Sequence, residues 1–385
     1  MPGSRWRPLL AGRAAVEARR VACAISDATT WVPEADAPGA FDLAAGAAGR
    51  AVFQAYAARA RGLDARVTVH ALLEASATAL TRVAMPVGLF GGVAGISWAH
   101  RHLETLGYEC ADTSDIDGLL LDTLRGPAEM PHDLVDGVVG LGVYGLERGD
   151  KPAGRAIVAA AIERLATQAR WAGDGCAWST SGHGDDVAAG RPRVDLGLAH
   201  GVPGVLAFLA AARRRGHACQ AMVDETWRWL RCRERPVSSV SAYGTWDGTP
   251  QPSRLAWCYG DAGVAAALYG VAEGQPHVDR RRLALRVARR AAARTARSSG
   301  ASHATFCHGS AGVAHIMNRL WQASGDRRLQ RAAITWMRRT LSDTRAGLVE
   351  TGLLEGAAGV GLVLLAAAGD IPPSWDRAFL LPSTS

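Results

Sequence analysis

Cys258, Cys307 and His308 are the residues of this sequence best suited to chemistry. Two soft thiolates and one imidazole nitrogen favour Zn²⁺, and three protein ligands leave a fourth position open, the arrangement of catalytic sites and not of closed structural ones. An ion already carrying two thiolates keeps little net positive charge. It therefore suits binding and deprotonating a substrate thiol more than generating hydroxide. Such a centre needs an acid or base beside it, and His200 is the best placed, since imidazole titrates near neutrality. Asp133 would orient that ring, Arg254 would hold a carbonyl or a developing enolate, and Tyr259 would donate a hydrogen bond. Any one of these taken alone reads more simply as a packed or solvated side chain. What sets them apart is their register.

These residues lie far apart in the chain and need a scaffold to bring them together. A Gly-x-x-Gly element recurs seven times, beginning at Gly46, Gly92, Gly137, Gly201, Gly260, Gly309 and Gly356, at intervals of 46, 45, 64, 59, 49 and 47 residues. Each is followed by a stretch that is apolar on nearly every face, such as Val205-Leu-Ala-Phe-Leu, and such stretches belong inside. Between them lie segments such as Arg281–Arg290 and Arg331–Leu341, apolar at helical spacing with arginine on the other face, which belong outside. One inner and one outer helix per period of about 47 residues predicts a helical-hairpin repeat. The repeats run from about residue 40 to about residue 370, leaving little chain for capping, so the expectation is a closed ring of inner helices wrapped by an outer ring. The fold class is therefore all-α, with residues 1–385 forming a single domain.

If the glycines are equivalent, the residues one or two places before them gather at one rim. The first two repeats offer only Ala44-Ala45 and Phe90-Gly91 there. The next five offer Asp136 with Asp133 one turn back, His200, Cys258-Tyr259, Cys307-His308 and Glu355. The chemically competent residues thus fall at one position of consecutive repeats.

Composition agrees with a large folded chain. Glycine supplies 44 of 385 residues, but hydrophobic residues make up 48%, far more than a disordered chain would carry. The net charge is +7, and Lys151 is the only lysine among 43 cations. Arginine clusters such as Arg213–Arg215, Arg280–Arg282 and Arg338-Arg339 are spread along the chain and read as solvated outer helix faces, with no nucleic-acid footprint. A mildly basic surface would attract an acidic peptide. Arg13 and Glu17 interrupt any apolar signal segment, and the longest apolar run, Gly356–Gly369, is too short to span a bilayer. Seven scattered cysteines read as reduced thiols in a cytoplasmic protein.

Three motifs, Leu-Gly-Leu-Ala-His200-Gly-Val-Pro-Gly, Arg254-Leu-Ala-Trp-Cys258-Tyr-Gly and Phe-Cys307-His308-Gly-Ser-Ala-Gly, together with the recurrent Gly-x-x-Gly, closely resemble the lanthionine synthetase C family from about residue 40 to 370. The resemblance implies an α/α toroid of seven inner and seven outer helices with a zinc site at one end. It implies a cyclase that adds peptide cysteine thiols to dehydroalanine or dehydrobutyrine, forming lanthionine or methyllanthionine thioethers in a dehydrated precursor peptide. Cys258, Cys307 and His308 match the family's zinc ligands, and His200, Asp133, Arg254 and Tyr259 match its other active-site positions. The length leaves no room for an attached dehydratase, so a separate one is expected. Two other readings are a Zn-thiolate enzyme of the prenyltransferase kind and a non-catalytic peptide-binding scaffold in which zinc ties the ring together. The two long intervals, Trp171–Asp195 with His183 and Pro236–Ser253, read as loops near the rim that shape peptide binding.

Overall fold

Each Gly-x-x-Gly element starts a helix. In the computed structural model, which describes residues 6–33, 39–180, 193–274, 277–345, 347 and 350–382, the first glycine of every element is the residue just before the helix. Numbered in chain order, the inner helices are α2 (Ala47–Arg61), α4 (Val93–Glu104), α6 (Val138–Arg148), α8 (Val202–Arg214), α10 (Asp261–Ala272), α13 (Ser310–Ser324) and α15 (Ala357–Ala368). The outer helices are α1 (Gly12–Ala28), α3 (Arg66–Arg82), α5 (Ser114–Arg125), α7 (Pro152–Gln168), α9 (Gln220–Arg231), α11 (Val278–Ala292) and α14 (Arg327–Arg345). A single-turn helix α12 (Ala296–Ser299) follows α11, and a 3₁₀ helix spans Ser374–Phe379. Inner helices touch in the order α2, α4, α6, α8, α10, α13, α15 and back to α2, so the ring closes.

The glycine pair explains this regularity. No inner helix has a side-chain cap at its start. Instead the leading loop folds back, and its carbonyls accept from the first helical amides, as in Val93 N to Pro86 O at 3.0 Å and Val202 N to Asp195 O at 3.0 Å. That satisfies donors a helix start otherwise leaves open. The fold-back brings a carbonyl onto the second glycine: a Cβ at Gly95 would lie 1.7 Å from Leu89 O, and one at Gly312 would lie 1.9 Å from Phe306 O. Gly260 has a further reason, a φ of +95° that side chains rarely adopt.

Closure uses a device that the sequence pattern does not mark. The repeat unit predicts an outer helix after every inner one, but after α15 the chain only reaches its C-terminal turn. The missing outer helix is α1, which packs on α15 from the other end of the chain. Leu9 N and Leu10 N both donate to Ala367 O at 2.9 Å, Trp6 Nε1 donates to Ala366 O at 2.8 Å, and Arg19 reaches Ala368 O. The last carbonyls of α15 thereby find partners.

Two further expectations change. The Arg213–Arg215 cluster does not lie on an outer face; it ends inner helix α8, where Arg213 donates to Val271 O and Arg214 to Gly270 O, satisfying carbonyls at the end of α10. The inner helices also carry buried polar and cationic side chains, in α2 (Arg50), α4 (Arg101, His102) and α13 (His315, Arg319), where the pattern suggested an apolar lining. The C-terminal turn answers part of it. Asp376, wholly buried, lies 2.7 Å from His315 Nε2 and accepts two hydrogen bonds from Arg319. Burial pushes the Asp376 carboxyl up, but the Arg319 charge and the hydrogen bonds from His315 and Arg319 outweigh it and hold the group below the ordinary carboxylate value. Asp376→Ala leaves the Arg319 charge uncompensated and is expected to cost about 3–5 kcal/mol, read as a lower thermal midpoint. Because its folded pKa is depressed, the stabilisation is present above the ordinary aspartate pKa and is lost as pH falls through the folded value. The variant should lose that acid dependence.

Candidate functional site

The rim that bears the glycines is tied together by a circle of backbone hydrogen bonds. Ala44 N donates to Phe90 O, Leu89 N to Val135 O, Leu134 N to Ala199 O, Ala199 N to Cys258 O, Cys258 N to Cys307 O, Cys307 N to Leu354 O and Leu354 N to Ala44 O, all within 2.9–3.3 Å. Each bond joins neighbouring repeats, every acceptor lying two residues before the first glycine and every donor two or three. The register read from the sequence is therefore a physical ring. It fixes Cys258 and Cys307 side by side, with Ala199-His200 on one flank and Leu354-Glu355 on the other.

The consequence is a tight donor cluster. One ligand atom each of Cys258, Cys307 and His308 lies within 4.8 Å of the others. Both thiols are buried, while His308 is partly open to solvent. His308 Nδ1 pairs with Glu355 Oε1 at 2.8 Å, which leaves Nε2 for another partner. Glu355 is held in turn, its Oε2 accepting from Thr305 Oγ1 at 2.9 Å, and Thr305 Oγ1 lies 3.0 Å from His303 Nδ1. The hydrogen bond with Cys307 prevails over burial and, with His308 and Arg254 adding to it, brings the Cys258 thiol down to about 5. That hydrogen bond, burial and the charge of Cys258 push the Cys307 thiol up. Hydrogen bonds to Cys258 and Glu355 raise His308 to about 9. These contacts favour a thiolate at Cys258 and protons on Cys307 and His308, which a divalent cation binding there would displace. Two thiolates and an imidazole oriented by a carboxylate fit a zinc-type ion.

Beside it stands an acid–base pair. His200 Nδ1 lies 2.7 Å from Asp133 Oδ2, and Asp133 Oδ1 accepts from Asp136 N at 2.8 Å. Burial acts to lower the His200 pKa, but the hydrogen bond and charge of Asp133, with Asp195 and Asp136 behind it, prevail and raise it above the ordinary value. Asp133 remains below the usual carboxylate range despite its burial, through the same contact. The ring is a quarter exposed, at 24%, so a substrate can reach it. Tyr259 donates to Asp195 Oδ2 at 2.9 Å, and its ring centroid is 6.3 Å from that of His200. Arg254 is exposed on the rim, and its charge is felt at Cys258.

All seven residues expected from the sequence therefore lie on one rim, in the third to sixth repeats. The profile of the "Lanthionine synthetase C-like protein" family matches residues 37–380, nearly the whole chain. The chain belongs to the lanthionine synthetase C-like family. Among solved structures it is similar to "Nisin cyclase", with a TM-score of 0.74 at 17% identity, covering 94% of this chain and 96% of that one. No curated protein sequence matches it significantly. The fold of this family member is thus an α/α toroid, and no helix among the described residues is long and apolar enough to cross a membrane.

Sequence reasoning missed Asp195, His303 and Thr305 as parts of the site. A usable signal existed six residues before the first glycine, where the loop carbonyl meets the helix start. Asp195, Arg254 and His303 all occupy that position in successive repeats. Asp195 is buried, which pushes its carboxyl up to about 6. The long interval that begins at Trp171 is also not all loop: Arg170–Ala172 and Gly175–Ala177 form an antiparallel hairpin, β1 and β2, with β2 packed on α9. Its far end is tied to the Pro236–Ser253 segment by a bridge between Asp195 and Trp246. His183 lies outside the described residues. His132, to which the sequence assigns no role, is buried, and burial holds it down to about 4.

Proposed function

We propose that this chain, as a single toroid domain, is a zinc-dependent lanthipeptide cyclase, adding cysteine thiols of a dehydrated precursor peptide to dehydroalanine or dehydrobutyrine. The observation that carries this reading is the convergence of Cys258, Cys307 and His308 within 4.8 Å, in register with the His200–Asp133 pair, in a member of this family. A zinc ion held by those three residues would lower the pKa of a substrate thiol and keep it nucleophilic.

The remaining work falls to the chain's own side chains. In the addition a C–S bond forms at the β-carbon, the thiol proton leaves, and the alkene electron pair moves onto the α-carbon and its carbonyl as an enolate. A proton must then return to the α-carbon. His200 supplies it from Nε2, because Nδ1 is committed to Asp133 and that carboxylate favours the protonated ring. Arg254 offers a cation at the rim for the enolate oxygen. Tyr259, its hydroxyl engaged by Asp195, acts as a positioning residue behind His200.

The alkene must be made first from serine or threonine, and a separate dehydratase is the proposed source. The seven free cysteines support a reducing, cytoplasmic setting. The test is incubation with a dehydrated peptide carrying one cysteine. Thioether formation is an isomerisation, so free thiol should disappear with no change in peptide mass. A thiol that remains fully alkylatable would overturn the reading.

A further inference from the structure

The outer wall of the two repeats that supply the cysteines carries a basic groove. Between α11 and α14 run two adjoining depressions of about 710 and 560 Å³, which share Arg289 and Arg328 in their linings. Nine of the lining residues are arginines and none is acidic. Five carboxylates, Glu234, Asp261, Asp279, Asp326 and Asp343, pair with some of them. Nine less five leaves four positive charges, more than half of the chain's net +7. Arg281, Arg328 and Arg331 form no salt bridge among the described residues. The arginines of α11 and α14, which look like two separate runs in sequence, are therefore gathered on one face.

Exposed Val278 and Ala293 and half-buried Leu285 add apolar surface to the lining. Both walls also lead to the site. Arg294, just past α11, donates to Ser253 O at 2.8 Å, beside Arg254. Arg339 pairs with Asp343, which accepts from Ser310 Oγ at 2.9 Å, just past His308-Gly309. We propose that this groove docks an acidic, partly apolar segment of the peptide substrate while its cysteine and alkene occupy the rim. The proposal rests on the cyclase reading for its substrate.

A cationic lining with exposed apolar residues among the arginines fits such a peptide best. A phosphate backbone offers nothing to bury against Val278 and Leu285, and a flat anionic lipid surface does not reach between the helices. The 19 residues of α14 span about 29 Å at 1.5 Å per residue, room for roughly nine extended residues.

The test uses the full chain and a fluorescent peptide of three Glu-Leu-Glu-Ala repeats, with its Lys-for-Glu counterpart, a labelled single-stranded oligonucleotide and phosphatidylglycerol vesicles as competing probes. Wild-type protein should bind the acidic peptide best, and more weakly as salt rises. The triple variant Arg281→Glu, Arg328→Glu, Arg331→Glu should bind it at least about tenfold more weakly with an unchanged circular dichroism spectrum. A one-cysteine dehydroalanine peptide bearing the acidic repeats should show a lower KM than the same peptide without them, in wild type only, at equal kcat. Equal peptide binding by the variant, or tighter binding of oligonucleotide or vesicles, overturns the proposal. If neither peptide is cyclised the cyclase reading fails, and the binding measurement still decides the groove.

Discussion

Cys307→Ala is expected to reduce cyclisation by at least about a thousandfold, some 4 kcal/mol of lost barrier reduction, and to abolish stoichiometric zinc binding. The thiol stands in the middle of the cluster: it hydrogen-bonds Cys258, and its backbone accepts from Cys258 N and donates to Leu354 O. Removing Sγ leaves one thiol and one imidazole, too few donors for a three-ligand open site. The backbone ring does not depend on the side chain, and alanine is smaller than cysteine, so the variant should fold. Metal analysis after dialysis, thermal unfolding and the free-thiol assay separate the outcomes. A folded variant that retains one zinc per chain, or that cyclises at the wild-type rate, would show that Cys307 is not a ligand that matters.

The site was legible in the sequence to the extent that the glycine register was legible, and that register has a steric origin. The second glycine of each pair faces the carbonyl of a leading loop at distances where a Cβ cannot fit, as at Gly95 and Gly312. A constraint of that strength leaves a residue-type signal in every repeat. Because the backbone circle joins the repeats at one height, knowing the register was enough to bring Cys258, Cys307, His308 and His200 together without any contact information.

What the register could not express was left out. Helix α1 closes the ring from before the first glycine pair, and nothing in its own residues says that its partner lies more than three hundred positions away. The Asp376–Arg319 pair is invisible for the same reason, since it joins a C-terminal turn to an inner helix whose polarity looks misplaced until the turn is seated. Likewise the arginines of α11 and α14 read as two ordinary outer faces, and only their lateral packing turns them into one basic groove. Glu355 was already placed by the register at the rim, yet its bond to His308 depends on side-chain direction, which spacing does not determine.

His200→Ala should lower kcat by roughly 10²–10⁴-fold, the usual range for loss of a positioned proton donor, with zinc content unchanged because His200 is not among the clustered ligands. Asp133→Asn isolates how the pair works. In the native protein the Asp133 carboxylate, 2.7 Å from Nδ1, raises the His200 pKa against the effect of burial. The protonated ring is the active form for enolate protonation, so kcat should fall as pH rises through that raised value. Asparagine removes the anion while keeping an oxygen or nitrogen at the same place, so the main effect opposing burial is lost, only Asp195 and Asp136 still oppose it, and the His200 pKa drops. The alkaline limb of the kcat profile should therefore move to lower pH in Asp133→Asn, leaving more activity in mildly acidic buffer than in neutral buffer. A profile that keeps the wild-type limb at reduced height would mean that Asp133 only orients the ring. If His200→Ala keeps that limb as well, another group is the proton donor.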